Sequence, residues 1–178
     1  MLGAALLDTA LSPSRLTDLT LNLDEFVRFD PSVTTVFITE NKINGLSFPN
    51  YPNALVIFGL GYGVRMLAEV PWLAGKRIYY WGDIDTHGFA ILSRLRAYFP
   101  QTRSLLMDEA TLHRFQALWV REQDSQRETR ELLHLDEAEA ELYRVLRENR
   151  HGESVRLEQE RIAYDYLLRP LEGLRFVS

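Results

Sequence analysis

Lys76-Arg-Ile-Tyr-Tyr-Trp-Gly-Asp-Ile-Asp-Thr-His-Gly88 decides the fold. Its first six residues are aromatic and β-branched enough to form a short buried strand, and Gly82 to Gly88 read as the loop leaving it. From Phe89 to Phe99, Ile91, Leu92, Leu95 and Phe99 recur at helical spacing, so a helix follows the loop. Working back, Ala54-Leu-Val-Ile-Phe58 is another uninterrupted apolar run. It meets Gly59-Leu-Gly-Tyr-Gly63 and then a short helical pattern from Val64 to Val70, stopped before Pro71. Val33-Thr-Thr-Val-Phe-Ile38 is a third such run, leading into Asn41-Lys-Ile-Asn-Gly45. Forward, Arg103-Ser-Leu-Leu-Met107 supplies a fourth. Short runs rich in β-branched, aromatic and other apolar residues, alternating with helices, predict an α/β fold: a mostly parallel four-stranded sheet flanked by helices.

Outside that unit the pattern changes. Residues 1–30 have no strong period and read as a connector to an N-terminal region not included here. Residues 31–120 form the α/β core. Residues 121–178 read as a helical extension completing the same domain. Helices are expected at about 110–120, 135–148 and 155–168, and the charged stretch Arg121 to Glu131 is expected to be solvated.

Composition bounds the function. The 178 residues include no cysteine, which excludes zinc ribbons, Fe–S sites, thiol nucleophiles and disulfide frameworks. No apolar run reaches 18 residues and Met1 to Asp8 lacks a signal-peptide pattern, so a cytoplasmic protein without a membrane anchor is expected. Net charge is −5, so a broad cationic coat for nucleic acid is not visible in the totals. Among the 20 basic residues only Lys42 and Lys76 are lysine; the rest are arginine, suited to bidentate phosphate contacts and also consistent with genomic bias.

Parallel sheets bind ligands beyond the carboxyl ends of their strands, where this sequence puts its acids. Glu40 ends the first strand, and Asp83 and Asp85 end the third; two residues apart on extended backbone, their carboxylates point to one side. Three converging carboxylates repel unless protonated or bound to a cation, and oxygen-only donors favour Mg²⁺ or Mn²⁺ over zinc. The plain alternative is that these acids merely cap loops.

Glu40-Asn-Lys42 after one strand and Trp81-Gly-Asp83-Ile-Asp85-Thr-His-Gly88 after a later one resemble the Toprim domain, the Mg²⁺-dependent module of topoisomerases, primases and several nucleases. With Phe58-Gly-Leu-Gly61, Leu105-Leu-Met-Asp108 and Leu157-Glu-Gln-Glu-Arg-Ile162, the chain more narrowly resembles the C-terminal domain of the JetD family, the nuclease subunit of the Wadjet anti-plasmid defence system, related to the A subunit of topoisomerase VI. The resemblance implies metal-dependent DNA cleavage, with Glu40 a metal ligand or general acid/base and Asp83 and Asp85 the principal ligands. It also implies plasmid DNA, an SMC-type ATPase, kleisin-like and accessory subunits as partners, and a homodimer. No tyrosine matches the nucleophile of the topoisomerases, so hydrolysis is the implied reaction.

Lys42 near a phosphate and His87 near a metal-bound water are secondary candidates, beside their plain readings as a solvated lysine and a loop histidine. Glu158 and Glu160, expected on a helix and about 200° apart around its axis, are not placed to serve one ion together. Other readings stay open. Gly59-Leu-Gly-Tyr-Gly63 followed by Asp83 is similar to a dinucleotide-binding turn with its ribose acid, although the G-x-G-x-x-G spacing is absent. Asp83-Ile-Asp85-Thr86 resembles the first motif of haloacid-dehalogenase-type phosphatases, which place it on the first core strand. A non-catalytic, cation-binding interaction domain is the remaining alternative.

Overall fold

The computed structural model describes residues 2–6, 19–59 and 61–174. The four expected parallel strands are present as β3 (Thr35–Thr39), β4 (Ala54–Phe58), β5 (Arg77–Trp81) and β6 (Arg103–Ser104). β3 and β4 are buried along their whole length, as strands covered on both faces must be. The fourth run keeps only two residues in strand geometry. Leu106 turns away with φ of +57°.

The sheet has six strands, because the first 30 residues contribute to it. Expected as a connector, that segment carries β1 (Leu2–Leu6), β2 (Leu19–Leu21) and helix α1 (Leu23–Phe29). β1 pairs antiparallel with β4 and with β2, covering what would otherwise be an exposed edge of β4. A three-residue strand is too short to show a period in sequence. The stretch at 7–18, including Ser12-Pro13-Ser14, lies outside the described residues.

The strand order is β2-β1-β4-β3-β5-β6. The chain therefore leaves β3 toward β4 on one side and returns to β5 on the other, making the gap beyond the ends of β3 and β5 a topological switch point. Helix α2 (Lys42–Leu46) follows β3, and a 3-10 helix at Gly61–Glu69 follows β4. Gly59 is required there by its φ of +70°. Helix α3 (Thr86–Tyr98) begins three residues before the expected Phe89, because Asp85 caps it by accepting a hydrogen bond from Gly88 N at 2.7 Å.

The C-terminal third is not purely helical. Helix α4 (Glu109–Arg114) and a 3-10 turn are followed by β7 (Val120–Arg121), and α5 (Glu137–Arg147) by β8 (Val155–Arg156). β7 and β8 form an antiparallel pair. The expected helix at 155–168 gives way to β8, a 3-10 turn at Gln159–Arg161 and α6 (Tyr164–Leu174). Its start carries a strand signature: Val155, Leu157 and Gln159 are buried while Arg156, Glu158 and Glu160 are more exposed, a period of two. The amphipathic α5 buries Leu142, Tyr143 and Leu146, with Tyr143 edge-on to Phe89 of α3 at 6.4 Å.

Candidate metal centre

Glu40 immediately follows β3, and Asp83 lies two residues beyond β5, its neighbour in the sheet. Glu40 Oε1 accepts hydrogen bonds from the Tyr80 hydroxyl at 2.5 Å and from Asp83 N at 3.3 Å. Gly82 makes this approach possible, since a Cβ there would fall on the Tyr80 hydroxyl and the Glu40 carboxylate. Burial, then the Asp83 charge, pushes the Glu40 carboxyl up to about 7. Burial, then Glu40, likewise raises Tyr80, keeping it a phenol that donates.

Asp83 and Asp85 meet the C-terminal third of the chain. Ile84 and Leu157 form an isolated antiparallel bridge, Ile84 N to Leu157 O at 2.9 Å and Leu157 N to Ile84 O at 3.1 Å. That pairing sets Arg156 against both aspartates. Its Nη2 donates to Asp83 Oδ2 at 2.5 Å, and its Nε lies 3.4 Å from Asp85 Oδ2 without the alignment of a hydrogen bond. Asp83 Oδ1 accepts from Gln159 N at 2.7 Å. Even so, both aspartyl carboxyls are raised, each chiefly by burial; Glu122 and Asp83 add to the shift at Asp85. One guanidinium does not balance this many buried acids.

Arg156, Tyr80, Gln159 and Glu122 were not singled out from the sequence. Glu122 lies in the stretch expected to be solvated, yet it is fully buried. It accepts from Thr86 Oγ1 at 2.7 Å and His87 N at 3.1 Å, so it supports the start of α3, where the helix dipole favours negative charge. A period-two reading of residues 155–159 would have put Arg156 on a strand; Glu122 has no local signal.

The secondary candidates divide. His87 is half-buried on the first turn of α3, and burial holds its imidazole below the usual range, so it is neutral near pH 7. Lys42 is exposed at the start of α2. Glu160 Oε2 accepts from Asn41 Nδ2 at 3.0 Å, beside Glu40, while Glu158 pairs with Arg161 at 2.6 Å and lies 3.9 Å from Arg156. The helical separation expected of these two glutamates does not apply, because Glu158 precedes a 3-10 turn. Glu160 thus adjoins the residue after Glu40, and Glu158 adjoins Arg156.

The three carboxylates offer hard oxygen donors, the set suited to Mg²⁺ or Mn²⁺. Arg156 is the cation that faces two of them here. Among the described residues, the group whose ligand atoms all lie within 4.8 Å of one another is a different one, Glu109, His113 and His151. The glycine turn after β4 runs into a 3-10 helix, so it lacks the α-helical N-terminus on which a dinucleotide pyrophosphate rests. No helix among the described residues is long and apolar enough to cross a membrane.

No curated protein matches the chain. The family model described as "Wadjet protein JetD, C-terminal" matches residues 2–171, nearly the whole sequence and every residue of the acidic cluster. The chain belongs to the Wadjet JetD C-terminal family.

Proposed function

We propose that this domain is a metal-dependent DNA endonuclease of the Toprim type, the cutting module of a Wadjet-type plasmid-defence complex in the cytoplasm. The observation that carries the reading is charge imbalance at a topological switch point: Glu40, Asp83 and Asp85 all have carboxyls raised by burial, with Arg156 against the two aspartates. A structural ion pair would have balanced its charges.

Glu40, Asp83 and Asp85 would hold Mg²⁺ or Mn²⁺. When bound, the ion polarises the scissile phosphate and lowers the pKa of an attacking water. Arg156, which donates to Asp83 here, would be placed to meet a phosphate oxygen beside such an ion. Tyr80 fixes the Glu40 carboxyl; acting as general acid/base in place of a ligand, Glu40 would use the metal-free range of about 7 to which burial raises it. His87 near a metal-bound water and Lys42 near a phosphate are the secondary contributors, and Glu158 and Glu160 add to the local field. With a net charge of −5, DNA capture falls to partners: an SMC-type ATPase with kleisin-like and accessory subunits, and a second copy of this chain.

The test is calorimetry with Mn²⁺ and Mg²⁺ on wild type, Glu40→Ala and Asp83→Ala, then cleavage of supercoiled plasmid by the same proteins assembled with their partners. Both variants are expected to lose roughly 10-fold or more in Mn²⁺ affinity and to leave the plasmid uncut. Equal affinity in all three makes the cluster structural and ends the reading. Binding lost in the variants without cleavage by the assembled wild type favours a cation-binding interaction domain instead.

A further inference from the structure

Glu109 and His113 stand one turn apart on α4, and His151 comes from the turn between α5 and β8. Glu109 Oε1 lies 3.3 Å from His151 Nε2 and 3.5 Å from His113 Nε2. Tetrahedral ligands at about 2.0–2.1 Å from an ion are themselves roughly 3.3–3.4 Å apart, so these separations suit a shared ion. The imidazole planes cross at 76° with centroids 4.7 Å apart. An i, i+4 ion pair accounts for Glu109 and His113. It does not account for His151, whose Nε2 is buried, makes no hydrogen bond and is carried to the same oxygen by a separate segment.

We propose that Glu109, His113 and His151 form a second metal site, for a borderline transition-metal ion of the Zn²⁺ class. Two imidazoles and one carboxylate select such an ion over Mg²⁺. Three protein ligands leave a fourth position to water. Glu109 and His113 are exposed, so the ion enters from solvent. Glu109 also borders a cavity of about 290 Å³ lined in part by Asp108 and Asp136. The bound ion clips α4 to the turn from which the chain runs on to Arg156, five residues after His151, and so fixes the segment that faces the acidic cluster. The site shares no ligand with that cluster and does not depend on the nuclease reading.

The full chain, freed of any affinity tag, is titrated with Zn²⁺ by calorimetry and with Co²⁺ by visible absorption. Wild type is compared with His151→Ala, His113→Gln and Asp83→Asn. Wild type and Asp83→Asn are expected to bind one Zn²⁺ with equal affinity and to give the intense visible band of four-coordinate Co²⁺. Both histidine variants lose roughly 10- to 100-fold or more. Trp119, with its ring 6.0 Å from His113 and 6.1 Å from His151, reports locally: Co²⁺ quenches its emission in wild type and not in the variants. Circular dichroism without metal checks folding, and the exposed His113→Gln decides the question if His151→Ala does not fold. No Zn²⁺ binding, equal binding in all four proteins, or a loss confined to Asp83→Asn overturns the proposal.

Discussion

Arg96 and Arg156 each meet carboxylates out of reach of bulk water, in opposite charge balance. On α3, Arg96 forks onto the buried Glu139 of α5, with Nη1 to Oε2 at 2.5 Å and Nη2 to Oε1 at 3.0 Å, while its Nε donates to Thr102 O and Nη1 also to His134 O. Glu139 further accepts from Ser104 Oγ and completes a capping box with Asp136. Burial works against the Glu139 charge, but these hydrogen bonds outweigh it and hold the carboxyl below its usual range. Arg156 faces Asp83 and Asp85 beside Glu40, leaves its own Nε without a hydrogen bond, and does not bring those acids down. The first arrangement has a partner for every charge and serves to join α3 to α5. The second leaves its acids short of positive partners, so burial favours their protonated forms, and a cation would take the place of those protons.

The sharpest way to break this comparison is to remove each arginine in turn. Arg96→Met leaves Glu139 buried without its partner and is expected to cost about 3–5 kcal/mol in urea denaturation. Arg156→Met at pH 5 is expected to cost less than half as much, because the acids it abandons take up protons readily. Equal losses would erase the distinction.

A second test uses pH, with the sign set by the direction of each shift. Glu40 holds its proton more tightly folded than unfolded, so its contribution is full below about 4.5 and is lost as pH rises through about 7. Glu40 alone should lower metal-free stability over that window by on the order of 3 kcal/mol, and Glu40→Gln should reduce the difference between urea melts at pH 5 and pH 8. Glu139, held low, acts the other way: its contribution is present above the usual carboxylate range and is lost on acidification. The smallest expected change in stability is at Asp85→Asn. Asparagine caps α3 as well as aspartate does, so stability stays within about 1 kcal/mol, while Mn²⁺ affinity measured by calorimetry falls roughly 10-fold or more.

The elements that were legible in sequence are those whose signal is local. β4 occupies the expected Ala54–Phe58, and β3 and β5 lie within two residues of their expected runs, because buried strands concentrate β-branched, aromatic and other apolar residues in a short stretch. The acids at their ends were legible for the same reason: once β3 and β5 are parallel, Glu40 and Asp83 come off the same edge. The antiparallel strands β1 and β2 were not; the strand at Val155 carries a period of two, but its charged residues also resemble a helix surface.

The sequence by itself determined the parallel sheet, the acids beyond its strands and the absence of thiol chemistry, because composition and short-range periodicity carry that information. Only the tertiary structure decided what those acids face. Asp83 meets Arg156 across 73 positions of chain, and Thr86 meets Glu122 across 36, through backbone pairings such as Ile84 with Leu157 that no local pattern encodes. The raised carboxyls follow from that enclosure, since desolvation depends on everything packed around a group rather than on its neighbours in sequence.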